Sequence, residues 1–135
     1  MENPYSFNTS VLAFVGDGAY ELYIRSLVVS RGTLDPGALH NVCTEYVRAE
    51  SQAHALKKLM NLSENGRGFL TEDELRLVKR ARNHKTPNRS RSADPVEYRL
   101  ATALEALIGC HYISGDEARM KEIMDKVVSL IEEDL

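Results

Sequence analysis

Apolar residues recur along most of the chain at intervals of three and four, the period of an α-helix. No stretch alternates as a half-buried strand would. Leu12, Val15, Ala19, Leu22 and Tyr23 line up as the buried face of a first helix, capped by Asn8, Thr9 or Ser10 and ending at about Ser30, before Arg31-Gly32. Asp35-Pro36 pairs a cap residue with a first-turn proline. A second helix follows from about Pro36 to Met60, with Leu39, Val42, Tyr46, Ala53, Leu56 and Leu59 inward. A break is expected near Arg48 to Ser51, where the pattern loosens. Asn61 to Phe69 holds two glycines and reads as a loop. Thr71 and Glu74 have the spacing of a capping box that opens a third helix, Glu72 to about Asn83. Lys85 to Ala93 reads as a mobile loop. Asp94-Pro95 then repeats the cap-and-proline device and starts a helix that ends at Ser114-Gly115. A last amphipathic helix runs from about Asp116 to Glu133, with Ile123, Val127, Leu130 and Ile131 as its apolar edge. The expected fold is all-α, in one domain spanning residues 1–135.

Two of these helices carry an acid where the pattern asks for an apolar residue. Asp17 sits in Leu12 to Arg25 between Gly16 and Gly18, and each glycine costs roughly 1 kcal/mol against alanine inside a helix. Close approach of another backbone is one reason to accept that cost. Glu21 lies one turn further along the same face. In the most apolar stretch, Tyr98 to Ile113, Glu105 is the lone acid. A carboxylate buried without a partner is expensive, whereas two of them facing each other across packed helices could hold Mg²⁺.

Charge is unevenly placed. Lys79, Arg80, Arg82, Lys85, Arg89 and Arg91 put six of the 17 basic residues into one segment without an acid, although the whole chain carries a net charge of −3. Overall acidity therefore does not exclude a nucleic-acid partner, because the positive charge is gathered where a phosphate backbone could use it. There is no apolar run long enough to span a membrane and no signal-peptide pattern at Met1 to Tyr5. Cys43 and Cys110 form no paired motif, which fits reduced thiols and a cytoplasmic location. His40 and Cys43 have helical spacing but lack a second pair to complete a zinc site. Each histidine reads as a surface or capping residue, with His84 near enough to the basic segment to touch phosphate.

Phe14-Val15-Gly16-Asp17-Gly18-Ala19 resembles the FLGDA signature of ribonuclease III catalytic domains, and Ala103-Leu104-Glu105-Ala106-Leu107-Ile108-Gly109 resembles their VEALIG signature. Arg25 and Tyr98-Arg99 fit the same pattern. The resemblance is closest to the Mini-ribonuclease III family, whose members are bare catalytic domains. Full-size enzymes carry two further acids, at positions that are Ala13 and Thr102 here, so the protein ligand set of the metal is left open.

The resemblance implies a Mg²⁺-dependent endoribonuclease, with Mn²⁺ as a substitute. It would cut double-stranded RNA to leave 5′-phosphate and 3′-hydroxyl ends, with precursor large-subunit (23S) ribosomal RNA as substrate. Asp17 and Glu105 are the expected catalytic and metal-binding pair, and Glu21 supports them from behind. Lys79, Arg80, Arg82, Lys85, Arg89 and Arg91 are the expected RNA contacts. A two-fold homodimer would face the two strands with two sites. The competing expectation is a dimer that grips structured RNA without cutting it, which the absence of acids at Ala13 and Thr102 would favour.

Overall fold

The computed structural model describes residues 3–63, 68–84 and 94–135. The loop expected at Lys85 to Ala93 lies outside these residues. Among the described residues a short 3-10 turn, Pro4–Ser6, precedes six helices: α1 Thr9–Ser30, α2 Pro36–Val47, α3 Ala49–Leu62, α4 Glu72–Asn83, α5 Pro95–Ser114 and α6 Glu117–Glu132. The fold is all-α, and there is no strand among the described residues.

Local chemistry sets the helix boundaries. Asn8 accepts from the Ser10 amide at 2.8 Å and Asp35 from the Ala38 amide at 3.0 Å. Asp94 accepts from Val96 at 2.8 Å, directly ahead of Pro95. The capping box forms in both directions, with Thr71 N–H donating to Glu74 at 2.8 Å and Glu74 N–H donating to Thr71 at 3.1 Å. Gly115, at φ 77°, closes α5 in the left-handed region that an L side chain resists. The expected break in the second helix is Arg48, whose extended backbone (ψ 150°) separates α2 from α3.

α5 is the central element and packs against α1, α3, α4 and α6. Leu100, Ala103, Leu104, Ala106, Leu107 and Ile108 bury nearly its whole circumference, as a helix enclosed by others must. The buried side of α1 runs through Leu12, Gly16, Tyr20, Ile24 and Val28, a ridge with one residue every four positions, and meets α5 at Leu12 and Gly16. This corrects the face expected from sequence, because Leu22 is 68% exposed and Val15, Ala19 and Tyr23 are only half-buried. α1 is apolar around most of its surface, so periodicity could not single out the side where α5 lies.

At the α1–α5 crossing the two backbones touch. A Cβ on Gly16 would come within 1.7 Å of the Glu105 carbonyl oxygen, and one on Gly109 within 1.9 Å of the Leu12 carbonyl oxygen. Gly18 faces open space, with nothing within 4 Å. The expectation of close approach is therefore met at Gly16 and not at Gly18.

A second organising feature is a buried ion network. Glu74, only 1% exposed, accepts from His111 Nε2 at 2.6 Å and from Arg119 Nη2 at 2.7 Å. Arg119 stacks on the Phe69 ring at 4.9 Å, so the network joins the start of α4, the end of α5 and the start of α6. His111 is thus a core residue, which corrects its expected surface or capping role. Burial pushes the Glu74 carboxyl up, but the hydrogen bonds from Arg119, His111 and the Thr71 amide prevail and hold it well below its ordinary value.

Three substitutions test these contacts by urea denaturation. Gly109→Ala should cost about 3 kcal/mol, because its methyl meets backbone that cannot rotate away. Gly18→Ala should instead stabilise by about 0.5–1 kcal/mol, gaining helix propensity without a clash. For the network, Glu74→Gln should cost about 3 kcal/mol at neutral pH by leaving Arg119 partly buried without its partner. A depressed folded-state value contributes stability above the unfolded value near 4.5 and loses it as pH falls through the folded one. The gap between wild type and Glu74→Gln should therefore narrow below about pH 4.

Candidate active site

The glycine crossing decides where the two unexplained acids lie. Asp17 follows Gly16 on α1, and Glu105 supplies the α5 carbonyl that Gly16 packs against. Their side chains line one cleft with Thr9, Phe14, His84, Tyr98, Arg99 and Thr102. Asp17 is exposed at its mouth and Glu105 is half-buried in its wall. The structure thus brings together two residues 88 positions apart in sequence (105 − 17).

Their proximity is electrostatically unfavourable. Burial is the largest influence on Glu105, and the charge and hydrogen bond of Asp17 come next; together they push its carboxyl up to about 9. Glu21 adds a smaller push, and a hydrogen bond from Gln52 opposes the rise. Without a cation, Glu105 therefore keeps its proton at neutral pH.

This pair fits a hydrated divalent cation. Among the described residues no three His, Cys, Asp or Glu side chains gather into a metal-holding group, so a cage made wholly of protein is absent there. Mg²⁺ requires less, since it retains several waters and is commonly held by one or two carboxylates. Two carboxyl groups forced together, one of them driven toward its neutral form by burial and by the other, form a donor set that such an ion would relieve. The two positions where full-size enzymes carry acids add no charge: Ala13 is buried, and the Thr102 hydroxyl donates to its own helix at the Tyr98 carbonyl, 2.9 Å away.

Other expected residues lie elsewhere. Glu21 pairs with Arg25 at 3.0 Å on the outside of α1 and lines a different cleft, between α1 and α2, with His40 and Cys43. Lys79, Arg80 and Arg82 occupy the last turns of α4, whose Ala81 and the following His84 reach the acid cleft. Arg80 donates to the Phe7 carbonyl at 2.9 Å while remaining exposed. Lys85, Arg89 and Arg91 lie outside the described residues. Tyr98 and Arg99 were legible in the sequence only as part of a motif, and the cleft gives them a place. Gln52 carried no sequence signal at all: one amide in a helical pattern is indistinguishable from a surface residue.

Comparison with known proteins agrees with this geometry. Residues 10–116 match the Ribonuclease III domain, a span that contains both acids and both crossing glycines. The chain is 40% identical over 130 residues to the Mini-ribonuclease 3 of Brevibacillus brevis, covering 96% of this chain and 92% of that one. It is 36% identical over 132 residues to the Mini-ribonuclease 3 of a Thermoanaerobacter species, covering 98% and 88%. A crystal structure of a protein from Fusobacterium nucleatum superposes with a TM-score of 0.76 at 33% identity, over 92% of this chain and 93% of that one. Similarity of this extent, with the acids and glycines inside the matched span, leaves one assignment: the chain belongs to the ribonuclease III domain family, on its Mini-ribonuclease 3 branch, and is an endoribonuclease.

Proposed function

We propose that this endoribonuclease cuts double-stranded RNA at the Asp17–Glu105 cleft with Mg²⁺, or Mn²⁺ in its place, held by the two carboxylates. The family generally depends on a divalent metal and acts on double-stranded RNA. The observation that carries the reading is the meeting of Asp17 and Glu105 at the glycine crossing. When bound, the ion supplies Lewis acidity: it makes water acidic enough to attack at neutral pH and neutralises phosphoryl oxygens. Asp17, exposed at the cleft mouth, would hold the cation from the α1 side. Glu105 would hold the ion as a carboxylate, so cation binding would be coupled to loss of its proton and would strengthen with rising pH. Arg99 and His84 on the cleft rim are in position to meet the phosphodiester backbone.

The products would carry 5′-phosphate and 3′-hydroxyl ends, and the substrate would be precursor 23S ribosomal RNA in the cytoplasm. Among the described residues no helix is long and apolar enough to cross a membrane. Lys79, Arg80, Arg82, Lys85, Arg89 and Arg91 would grip phosphates beside the cleft and confer affinity with little sequence preference. Because Lys79, Arg80 and Arg82 belong to the helix that reaches the cleft, this arrangement supports the RNA-contact role.

Cutting both strands requires two sites, and a second copy of the chain supplies the other. The outer face of α1 supports this. Val11, Phe14, Leu22 and Val29 are spaced as one helical stripe and are all exposed, Phe14 at 83%. A stripe that apolar, running directly past Asp17, is suited to burial against its own two-fold mate.

Asp17→Asn should lower the cleavage rate about a thousandfold while leaving duplex binding and melting temperature near wild type. Glu105→Gln should behave similarly; in both cases a gel of duplex RNA with and without Mg²⁺ gives the answer, and full activity would remove that acid from the mechanism. Phe14→Asp should give a folded monomer in sedimentation and should lose double-strand cutting. An unchanged sedimentation coefficient would count against the dimer.

A further inference from the structure

Gln52 is a buried polar side chain of α3 without a role in the reading above. It is 3% exposed and lines a second cleft with Glu105 and Thr102, one that Asp17 does not line. Its amide orientation is fixed chemically: Nε2 donates to the Val47 carbonyl at 2.7 Å, so the nitrogen end must face Val47. One N–H is thereby used, and the second remains on a side chain that lines the same cleft as Glu105.

Packing alone does not account for this residue. Gln52 Oε1 is buried with no hydrogen-bond partner. A buried acceptor without a donor is costly, and leucine would fill the same space with no such cost. What leucine lacks is the pair of N–H groups. One of them also satisfies the last carbonyl of α2, which by itself would be a structural role at the α2–α3 break.

We propose that Gln52 is the positioning residue for Glu105: anchored on the Val47 carbonyl, it directs its second N–H onto the Glu105 carboxylate and holds it toward Asp17 for cation binding. This rests on the two-carboxylate reading of the site. It also gives α3 a part in a site otherwise built from α1 and α5. Where full-size enzymes have an acid at the position of Thr102, this chain supports the surviving glutamate with a neutral amide from a neighbouring helix. Polar partners behind metal ligands typically contribute tenfold or more to metal affinity.

The test is Mn²⁺ binding to the full chain without RNA, followed by water-proton relaxation, together with the metal-free melting temperature. Gln52→Leu removes both N–H groups and should weaken Mn²⁺ binding about tenfold. Gln52→Lys restores a donor to Val47 but puts a cation against Glu105. It should keep more of the metal-free stability than Gln52→Leu and weaken Mn²⁺ binding at least as much. A purely structural cap would lower the melting temperature in Gln52→Leu and leave Mn²⁺ affinity at the wild-type value. That result, in either folded variant, overturns the proposal. Asp17→Asn separates the two levels of inference. If it loses Mn²⁺ affinity while the Gln52 variants keep theirs, only the role of Gln52 fails. If it binds Mn²⁺ like wild type, the two-carboxylate site fails and the role of Gln52 fails with it.

Discussion

Contact between the α1 and α5 backbones at Gly16 and Gly109 is the constraint on which the rest of the molecule depends. Helices separated by ordinary side chains lie 8–10 Å apart, and only glycine on both sides allows them closer. The reciprocal arrangement here, each glycine facing a carbonyl of the other helix, fixes the axial register as well as the separation. Register is what the site needs. With Asp17 next to Gly16 and Glu105 one turn before Gly109, sliding either helix by a residue would separate the acids. The small residues that a hydrophobicity pattern passes over therefore do more to place the chemistry than the leucines around them.

Two glutamates on either side of this core show how burial is resolved in opposite ways. Glu74 is nearly inaccessible yet remains charged, because Arg119, His111 and the Thr71 amide supply donors to both of its oxygens. Glu105 is less enclosed yet is driven toward its neutral form, because its neighbours include another carboxylate and one neutral amide. The first arrangement is complete and ties α4, α5 and α6 together. The second lacks a positive charge. An electrostatic deficit held in place by a rigid crossing is the condition in which a cation would bind without reorganising the protein, and it separates the proposed metal-binding acid from the structural one more clearly than exposure does.

What could be read from the sequence followed how local the determining physics is. The caps at Asp35, Thr71 and Asp94, and at Asn8 among the three candidates offered for α1, are contacts across two or three residues, and the helix starts they announce are the ones observed. The break near Arg48 was legible for the same reason. The inner face of α1 was not, because Leu22 and Val28 have the same hydrophobic character and only tertiary packing decides which is buried. His111 was misplaced for a related reason: its partner Glu74 is 37 residues away, and its capping-box spacing already gave that glutamate a complete local explanation. Asp17 and Glu105 stood out as acids in apolar surroundings. Gln52 did not, since a neutral amide breaks no pattern.

The outer stripe of α1 raises a question that the core does not. One helix carries both the crossing that assembles the acid pair and, on its opposite side, Val11, Phe14, Leu22 and Val29 exposed to solvent. A chain of this size has enough polar residues to cover a helix face, as α4 shows, where apolar Leu77 and Val78 face inward and Arg76, Arg80 and Arg82 border the outer side. Among the described residues, four of the eight exposed large hydrophobic side chains lie on α1. Phe14 also lines the acid cleft, so whatever covers the stripe closes one wall of the site. If a second copy does so, assembly and catalysis are joined through a single turn of helix, Phe14 to Gly18. The dimer would then complete each cleft as well as duplicate it, and a monomer with every acid in place would still lack part of the surface that meets the RNA.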